Sequence, residues 1–225
     1  MRLLPSVLLA LCAFFAAPAA AEELVHETIE IEELTANSGS ERLVQTSAPL
    51  AVPRGIASYG PFRVLDGTRA ALVAVTDEVA PAQFSAMLRA FPGISMLELI
   101  ECPGTEDDRA NLRLGRMIHA RGIATYVPAG GSVRSGGVEL FLAGARRIAD
   151  PGAEFAVHAW ADEDGREPGD YAADAPENRA YLDYYQEMGM TALEAAKFYA
   201  MTNSVANADA KWLGAEAMGQ WVRLD

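Results

Sequence analysis

Residues 130–144 have the sequence GGSVRSGGVELFLAG, in which a glycine-rich turn carrying Ser135 leads straight into an apolar segment. The apolar segment predicts a buried helix over residues 136–148. The short run IATYV at residues 123–127 predicts a strand before the turn, because it is rich in β-branched residues. A strand, a tight turn and a buried helix in this order are typical of an α/β domain.

The same alternation of strand-like and helix-like segments continues on both sides of this stretch. The further predicted strands are residues 70–75, 96–100, 155–160 and 221–224, and the further predicted helices are residues 81–91, 106–121, 179–190, 191–201 and 208–218. Polar residues 162–178 predict a surface loop. The order predicts right-handed crossovers and an α/β fold with a mostly parallel sheet and flanking helices.

The beginning of the chain has the pattern of a secretory signal peptide. Arg2 precedes an apolar run from Leu3 to Phe15, and small residues follow as far as Ala21. The run is shorter than the roughly 20 residues that a membrane-spanning helix needs. We expect cleavage after Ala21 and a periplasmic or secreted protein; an uncleaved N-terminal anchor is the alternative. Residues 22–60 would be an acidic, partly irregular arm, and residues 61–225 a single α/β domain.

Charge and cysteine content restrict the function classes. The chain has 18 basic and 31 acidic residues, and because residues 1–21 contain only Arg2 as a charged residue, the remainder carries a net charge of −14. Such a charge disfavours nucleic acid as a partner, and we expect no membrane insertion after signal cleavage. Cys102 is the one cysteine after residue 21. It predicts neither an intramolecular disulfide nor a metal cluster, and a small buried residue is favoured over a reactive thiol.

Ser135 is the first candidate for chemistry. A hydroxyl at the start of a helix lies near unpaired backbone N–H groups, which can stabilise an oxyanion on a bound substrate. Gly136 and Gly137 would let that substrate approach the backbone closely. The alternative is that Ser135 is simply a helix N-cap.

His158 is the second candidate. It lies in the apolar run AVHAW at residues 156–160, where a charged imidazole is costly and a partner is needed. A base beside a serine is one such arrangement, and a satisfied core histidine is the alternative. His26 and His119 lie in polar surroundings and are interpreted as solvated bystanders.

Three segments in order make the sequence resemble the ClpP-like serine peptidases of the ClpP/crotonase superfamily. Residues 135–144 resemble that family's nucleophile segment, RRIADPGAEFAVH at 146–158 its approach to the catalytic histidine, and LELIECPGT at 97–105 its oxyanion loop. The agreement extends from about residue 62 to the end and is greatest with an exported branch of uncharacterised proteins. The resemblance implies a spiral of ββα units.

By this resemblance Ser135 is the nucleophile and His158 its general base. The third residue, which would orient the imidazole, is Asp209 by comparison with the exported branch and Asn207 by spacing from Gly219. We favour Asp209 because a carboxylate also stabilises the imidazolium. The alternative is that Asp209 is a solvated loop acid.

The resemblance also implies oxyanion donors, namely the N–H groups of Gly136 and Thr105 with support from Gly104. Two departures concern this loop. Cys102 replaces the family's serine, and Thr105 replaces a glycine, so that a positive φ at Thr105 would be strained. Residues 105–108 (TEDD) also predict a helix N-cap whose acidic first turn would oppose a negative charge nearby.

We therefore expect an exported serine hydrolase that cleaves a peptide, amide or ester bond in a peptide or small acyl substrate. The resemblance implies no cofactor and no metal, and it allows a homo-oligomer. The alternative function is a non-catalytic binding or assembly protein that retains the fold. Crotonase-type acyl-CoA chemistry is a third hypothesis. Export argues against it, because coenzyme A is a cytosolic cofactor.

Overall fold

A computed structural model describes residues 50–225 of the chain. The expected signal peptide, residues 1–21, and most of the expected arm, residues 22–60, lie outside the described residues. The described elements are, in chain order, β1 (Ala57–Tyr59), β2 (Phe62–Val64), β3 (Arg69–Leu72), α1 (Ala80–Ala90), β4 (Met96–Leu99), β5 (Glu101–Cys102), α2 (Asp108–Ala120), β6 (Ala124–Val127), β7 (Ser132–Arg134), α3 (Gly136–Leu142), β8 (Arg147–Ala149), β9 (Glu154–Val157), α4 (Pro176–Glu187), α5 (Ala192–Thr202), β10 (Lys211–Gly214) and α6 (Ala215–Gly219).

The described strands form two sheets, where the sequence predicted one. The first has the order β1-β2-β3-β4-β6-β8 and the second the order β10-β9-β7-β5. Pairing is parallel from β3 through β8 and from β5 through β9, while β1, β2 and β10 pair antiparallel. The predicted α/β class with mostly parallel pairing and flanking helices is confirmed.

The repeating unit is two strands followed by a helix. The pairs β4–β5, β6–β7 and β8–β9 each place one strand in the first sheet and the next in the second, and α2, α3 or α4 follows. This is the expected ββα repeat. Because β5, β7 and β9 are parallel neighbours, the residues that follow them meet at one edge of the second sheet.

Apolar side chains between the sheets and helices form the core. The largest fully buried side chains include five aromatic rings from different elements, namely Phe62, Phe84, Phe141, Phe155 and Phe198. Phe141 of α3 contacts Phe155 of β9 with ring centroids 4.9 Å apart. The helix that follows Ser135 is thereby fixed against the strand that precedes His158.

The predicted helix over residues 136–148 is too long. The helix ends at Leu142, and Arg147–Ala149 is a strand of the first sheet. A Cβ at Gly144 would lie 2.1 Å from the Thr125 hydroxyl oxygen, which itself donates to the Phe141 carbonyl at 2.7 Å. The chain leaves the helix here because strand β6 approaches its backbone closely.

The predictions for the C-terminal segment are also wrong. Residues 208–218 contain strand β10 followed by α6 rather than one helix, and residues 221–224 are not a strand. Trp212 and Leu213 pair with Ala156 and Phe155 of β9. Tertiary pairing decides the conformation here over local helical preference.

Candidate active site

Ser135 has a strained backbone. Its φ is 49° and its ψ −130°, and it is the one non-glycine residue with positive φ in the described part of the chain. Its N–H donates to the Ala156 carbonyl at 2.9 Å, and its carbonyl accepts from the Val138 N–H at 2.8 Å. These bonds hold a turn between β7 and α3 of the kind that presents a side chain outward.

The Ser135 hydroxyl makes no capping hydrogen bond. Ser135 therefore occupies the N-cap position of α3 without serving as a side-chain cap. Non-glycine residues in sparsely populated backbone regions concentrate at functional sites, with a strain of about 1–3 kcal/mol each.

The loop after β5 lies directly against Ser135. Gly104 has a φ of 129°, and a Cβ at that position would lie 3.0 Å from the Ser135 Cβ and 3.3 Å from its Oγ. The positive φ that we considered for Thr105 falls on Gly104 instead. The threonine in this loop is therefore accommodated without backbone strain.

Thr76 fixes the orientation of Thr105. The Thr76 N–H donates to the Gly104 carbonyl at 3.1 Å, and the Glu106 N–H donates to the Thr76 carbonyl at 2.8 Å. In this parallel bridge the N–H of Thr105 points away from Thr76. Within residues 50–225, neither Thr105 nor Gly136 donates a hydrogen bond from its N–H.

The glycines after Ser135 are required by the protein's own packing. A Cβ at Gly136 would lie 2.6 Å from the Thr105 Cγ2 and 3.0 Å from the Asn111 side-chain nitrogen, and one at Gly137 would lie 3.0 Å from the Cys102 Cβ. Protein atoms therefore already explain why neither position carries a side chain, and the expected close approach of a substrate stays a prediction. These glycines bring the oxyanion loop against the start of α3.

The acidic segment after that loop begins α2. Asp107 is the N-cap, and its side chain accepts from the Ala110 N–H at 2.8 Å. The cap predicted over residues 105–108 therefore lies on its third residue. Asp108, the first residue of the helix, has a carboxyl whose pKa is raised because surrounding protein limits its hydration, while the Tyr181 hydroxyl and His158 act in the opposite direction.

Cys102 is buried, with 1% of its surface exposed, and its Sγ lies 3.7 Å from the Leu72 carbonyl oxygen. Burial raises the pKa of the thiol far above its ordinary value. A thiol held protonated is a poor nucleophile. The interpretation of Cys102 as a small buried residue at a strand end agrees with this position.

His158 directly follows β9 and has a defined orientation. Its Nδ1 lies 2.8 Å from the Ala159 carbonyl oxygen. Since a carbonyl can only accept, Nδ1 carries the proton in this contact, and Nε2 is left with a free lone pair. The imidazole therefore has the tautomer that a general base facing a serine requires.

Asn207 is the side chain that contacts this imidazole. Its amide nitrogen donates to the same Ala159 carbonyl at 2.8 Å and lies 3.2 Å from the His158 Nδ1. The backbone N–H of Asn207 donates to the Glu167 carboxylate at 2.7 Å, so the acidic loop 162–178 helps to hold it. Asp209, the residue that we favoured as third member, is exposed, and no hydrogen bond joins it to His158 within the described residues.

One cavity of about 500 Å³ connects the candidate residues. Ser135, His158 and Asn207 line it together with Thr105 and Gly136. Within the described chain no hydrogen bond joins the Ser135 hydroxyl to His158, and such bonds often shorten only when substrate binds. The two side chains thus face a common space, which is the arrangement that a serine–histidine pair needs.

A second set of residues, which the sequence pattern did not single out, also lines the cavity. Glu139 is buried with 7% of its surface exposed, and its carboxylate accepts from the Tyr185 hydroxyl at 2.8 Å. Burial raises the pKa of Glu139 to about 7, although this hydrogen bond opposes the shift. The sequence feature that could have identified Glu139 is its place as a single acid inside the apolar run VELFL at residues 138–142.

The fold is thus an α/β arrangement of ββα units with a serine and a histidine at one sheet edge. No protein-family model matches the sequence, and no curated protein matches it. Solved structures similar to it include ClpP1 from Listeria monocytogenes as a single-residue mutant, with a TM-score of 0.46 and 17% identity over 69% of this chain and 88% of that chain. Two mutants of the 1510-N membrane-bound stomatin-specific protease each have a TM-score of 0.43 and 16% identity. The one in complex with a substrate peptide is matched over 68% of this chain and 73% of its own; the other is matched over 68% and 77%.

Proposed function

We propose that this protein is a serine hydrolase that cleaves a peptide, amide or ester bond, with Ser135 as nucleophile and His158 as general base. The observation that carries the proposal is the uncapped hydroxyl of Ser135, held on a strained backbone, in the same cavity as His158. The sequence resemblance to the ClpP-like peptidases assigns the same two residues independently of their geometry.

In the first half-reaction the Ser135 oxygen attacks the substrate carbonyl carbon and forms a C–O bond. The hydroxyl proton passes to Nε2 of His158 and then to the leaving amine or alcohol as the scissile bond breaks. In the second half-reaction water attacks the acyl ester, and its proton follows the same route back to the serine. The net reaction adds one water across the bond.

Two backbone groups would stabilise the negative oxygen of the tetrahedral intermediate. The Thr105 and Gly136 N–H groups make no hydrogen bond within residues 50–225, and Gly136 packs against the Thr105 side chain. Donors of this kind contribute about 3 kcal/mol each to the transition state. Gly104 contributes by allowing the loop to approach Ser135.

We propose Asn207 as the residue that orients the imidazole. The Ala159 carbonyl holds the Nδ1 proton of His158, and the Asn207 amide holds that carbonyl. The pair replaces the carboxylate of a Ser-His-Asp triad. Without that negative charge the imidazolium is less stabilised, so we expect a lower rate than a complete triad gives.

A fluorophosphonate probe tests the nucleophile. The wild-type protein should be labelled, whereas Ser135→Ala should remain unlabelled and His158→Ala should react far more slowly. Ser58→Ala, at an exposed serine of the edge strand β1, is the matched control and should label like the wild type. Equal labelling of Ser135→Ala would rule out the proposal. A folded wild-type protein that stays unlabelled would favour the non-catalytic binding protein instead.

Export belongs to the same proposal. We infer that residues 1–21 direct the chain to the periplasm or the exterior and are removed after Ala21. None of the helices within residues 50–225 has the length and apolar character that a membrane crossing requires. Intact mass of the protein from a periplasmic fraction tests the cleavage site, since the expected product begins at Glu22. Sedimentation of that product measures whether it forms a homo-oligomer.

A further inference from the structure

The cavity beside Ser135 has a composition that the hydrolytic reaction does not explain. Its wall carries carboxyl groups from α2, from α3 and from the loop before α2, with no lysine or arginine among the lining residues. The acids are Glu106, Asp108 and Glu139. Four aromatic side chains, Trp160, Tyr181, Tyr185 and Tyr199, line the same space.

Glu139 is the acid with the deepest position. It lies on α3 three residues after Gly136, which places it about 4.5 Å along the helix axis from the residue that follows Ser135. One carboxylate oxygen accepts from Tyr185, and within residues 50–225 no ion pair joins Glu139 to a basic residue. A buried carboxylate without a cation is unfavourable, so a ligand that brings a positive charge would gain from this position.

Aromatic side chains line the same cavity beside these acids. The Trp160 and Tyr181 rings are stacked at 6.2 Å with an angle of 7° between their planes. The Trp160 ring is fixed further by its N–H, which donates to the Tyr199 hydroxyl at 2.7 Å. Aromatic faces attract cations and also cover the methylene stem of a lysine or arginine.

We propose that this cavity is a specificity subsite for a positively charged side chain, of the lysine or arginine type, on the acyl side of the bond that Ser135 attacks. The inference rests on the proposed function. Glu139 receives the cationic group, Asp108 adds negative charge at the helix start, and the Trp160–Tyr181 stack covers the stem. The subsite thus selects substrates that complement the acidic wall.

Activity-based phosphonate probes test the preference. Three probes that differ only in a lysine-like, norleucine-like or glutamate-like side chain are compared at pH 8, above the pKa of Glu139. The lysine probe should label wild-type protein at least tenfold faster than the norleucine probe, and the glutamate probe should be slowest. In Glu139→Gln and Asp108→Asn the lysine-to-norleucine ratio should fall severalfold. Asp183→Asn, at an exposed acid of α4 outside the cavity, should keep the wild-type ratio.

The fluorophosphonate probe, which has no such side chain, separates the two proposals. If it labels Ser135 while the lysine and norleucine probes react equally fast, the subsite inference is wrong, but the assignment of Ser135 as nucleophile is still supported. If it does not label Ser135, the proposed hydrolytic function is wrong. A binding measurement then tests the subsite inference by itself.

That binding is measured in Ser135→Ala by calorimetry with agmatine, a four-carbon stem that carries a guanidinium at one end and an ammonium at the other, and with neutral pentanol as control. Agmatine should bind at least tenfold more tightly than pentanol, and the double variant Ser135→Ala/Glu139→Gln should lose most of that difference. Equal affinity for the two compounds would overturn the inference whatever the labelling result.

Discussion

The amide nitrogen of Asn207 lies 3.2 Å from Nδ1 of His158, and both groups contact the carbonyl of Ala159. An amide and a carbonyl thus occupy the place where a triad would have an acid. The relationship distinguishes Asn207 from Asp209, two residues further along the chain, which is exposed.

Replacing Asn207 by alanine should slow fluorophosphonate labelling by about tenfold or more, because a small displacement of a catalytic group has a large effect on rate. Asp209→Ala is the matched variant and should change the labelling rate by less than about twofold. A larger loss of labelling rate in Asp209→Ala than in Asn207→Ala would instead indicate that Asp209 orients the imidazole.

Removing the side chain at position 135 should reveal the backbone strain. Ser135→Gly should be about 1 kcal/mol more stable than Ser135→Ala in urea unfolding, because glycine adopts positive φ without steric conflict and alanine does not. Both variants lack the hydroxyl, so the comparison isolates the backbone. Equal stability of the two would mean that this turn is unstrained.

Stability should fall as pH rises toward neutrality because of Glu139. Its pKa is about 7 in the folded protein and 4.5 at its ordinary value, so the folded state retains a proton that the unfolded state loses between these values. The loss begins above pH 4.5, is complete above pH 7 and amounts to at most about 3 kcal/mol.

The control for this pH dependence is Glu139→Gln, which keeps an oxygen for Tyr185 and cannot ionise. The stability difference between variant and wild type should be small at pH 5 and should favour the variant at pH 8 in urea unfolding. A difference that does not change with pH would contradict the burial of this carboxylate.

Gly136→Ala should destabilise the protein by about 1–3 kcal/mol, because the new Cβ would lie 2.6 Å from the Thr105 Cγ2. Thr105→Ser removes that methyl group and should recover part of the loss in the double variant. Gly169→Ala, at a position with no atom within 4 Å, should stay within about 0.5 kcal/mol of wild type. Strictly additive effects of the two substitutions would contradict the contact.

Most of the fold could be predicted from local patterns. Alternating apolar strands and amphipathic helices identified α1, α2, α4 and α5 to within a few residues, and the capping box at Thr191 marked the start of α5 correctly. The failures are elements decided by distant partners. Thr125 ends α3 by crowding Gly144, and β9 draws residues 211–214 into a strand.

Some of the residues that line the candidate cavity could be singled out from the sequence. Ser135 and His158 could be found because a serine before an apolar helix and a histidine inside an apolar strand are both unusual. Asn207 could not be preferred, since its place beside His158 depends on how the loop between α5 and β10 folds. Glu139 was overlooked although a lone acid in a buried helix is itself a signal.

Thr76 holds the peptide groups on both sides of Thr105, so the orientation of that N–H is fixed before any substrate arrives. Donors that are already oriented cost no reorganisation at the moment of reaction. Product formation in the proposed hydrolysis should therefore be linear from the moment of mixing, because no rotation of this peptide group precedes it.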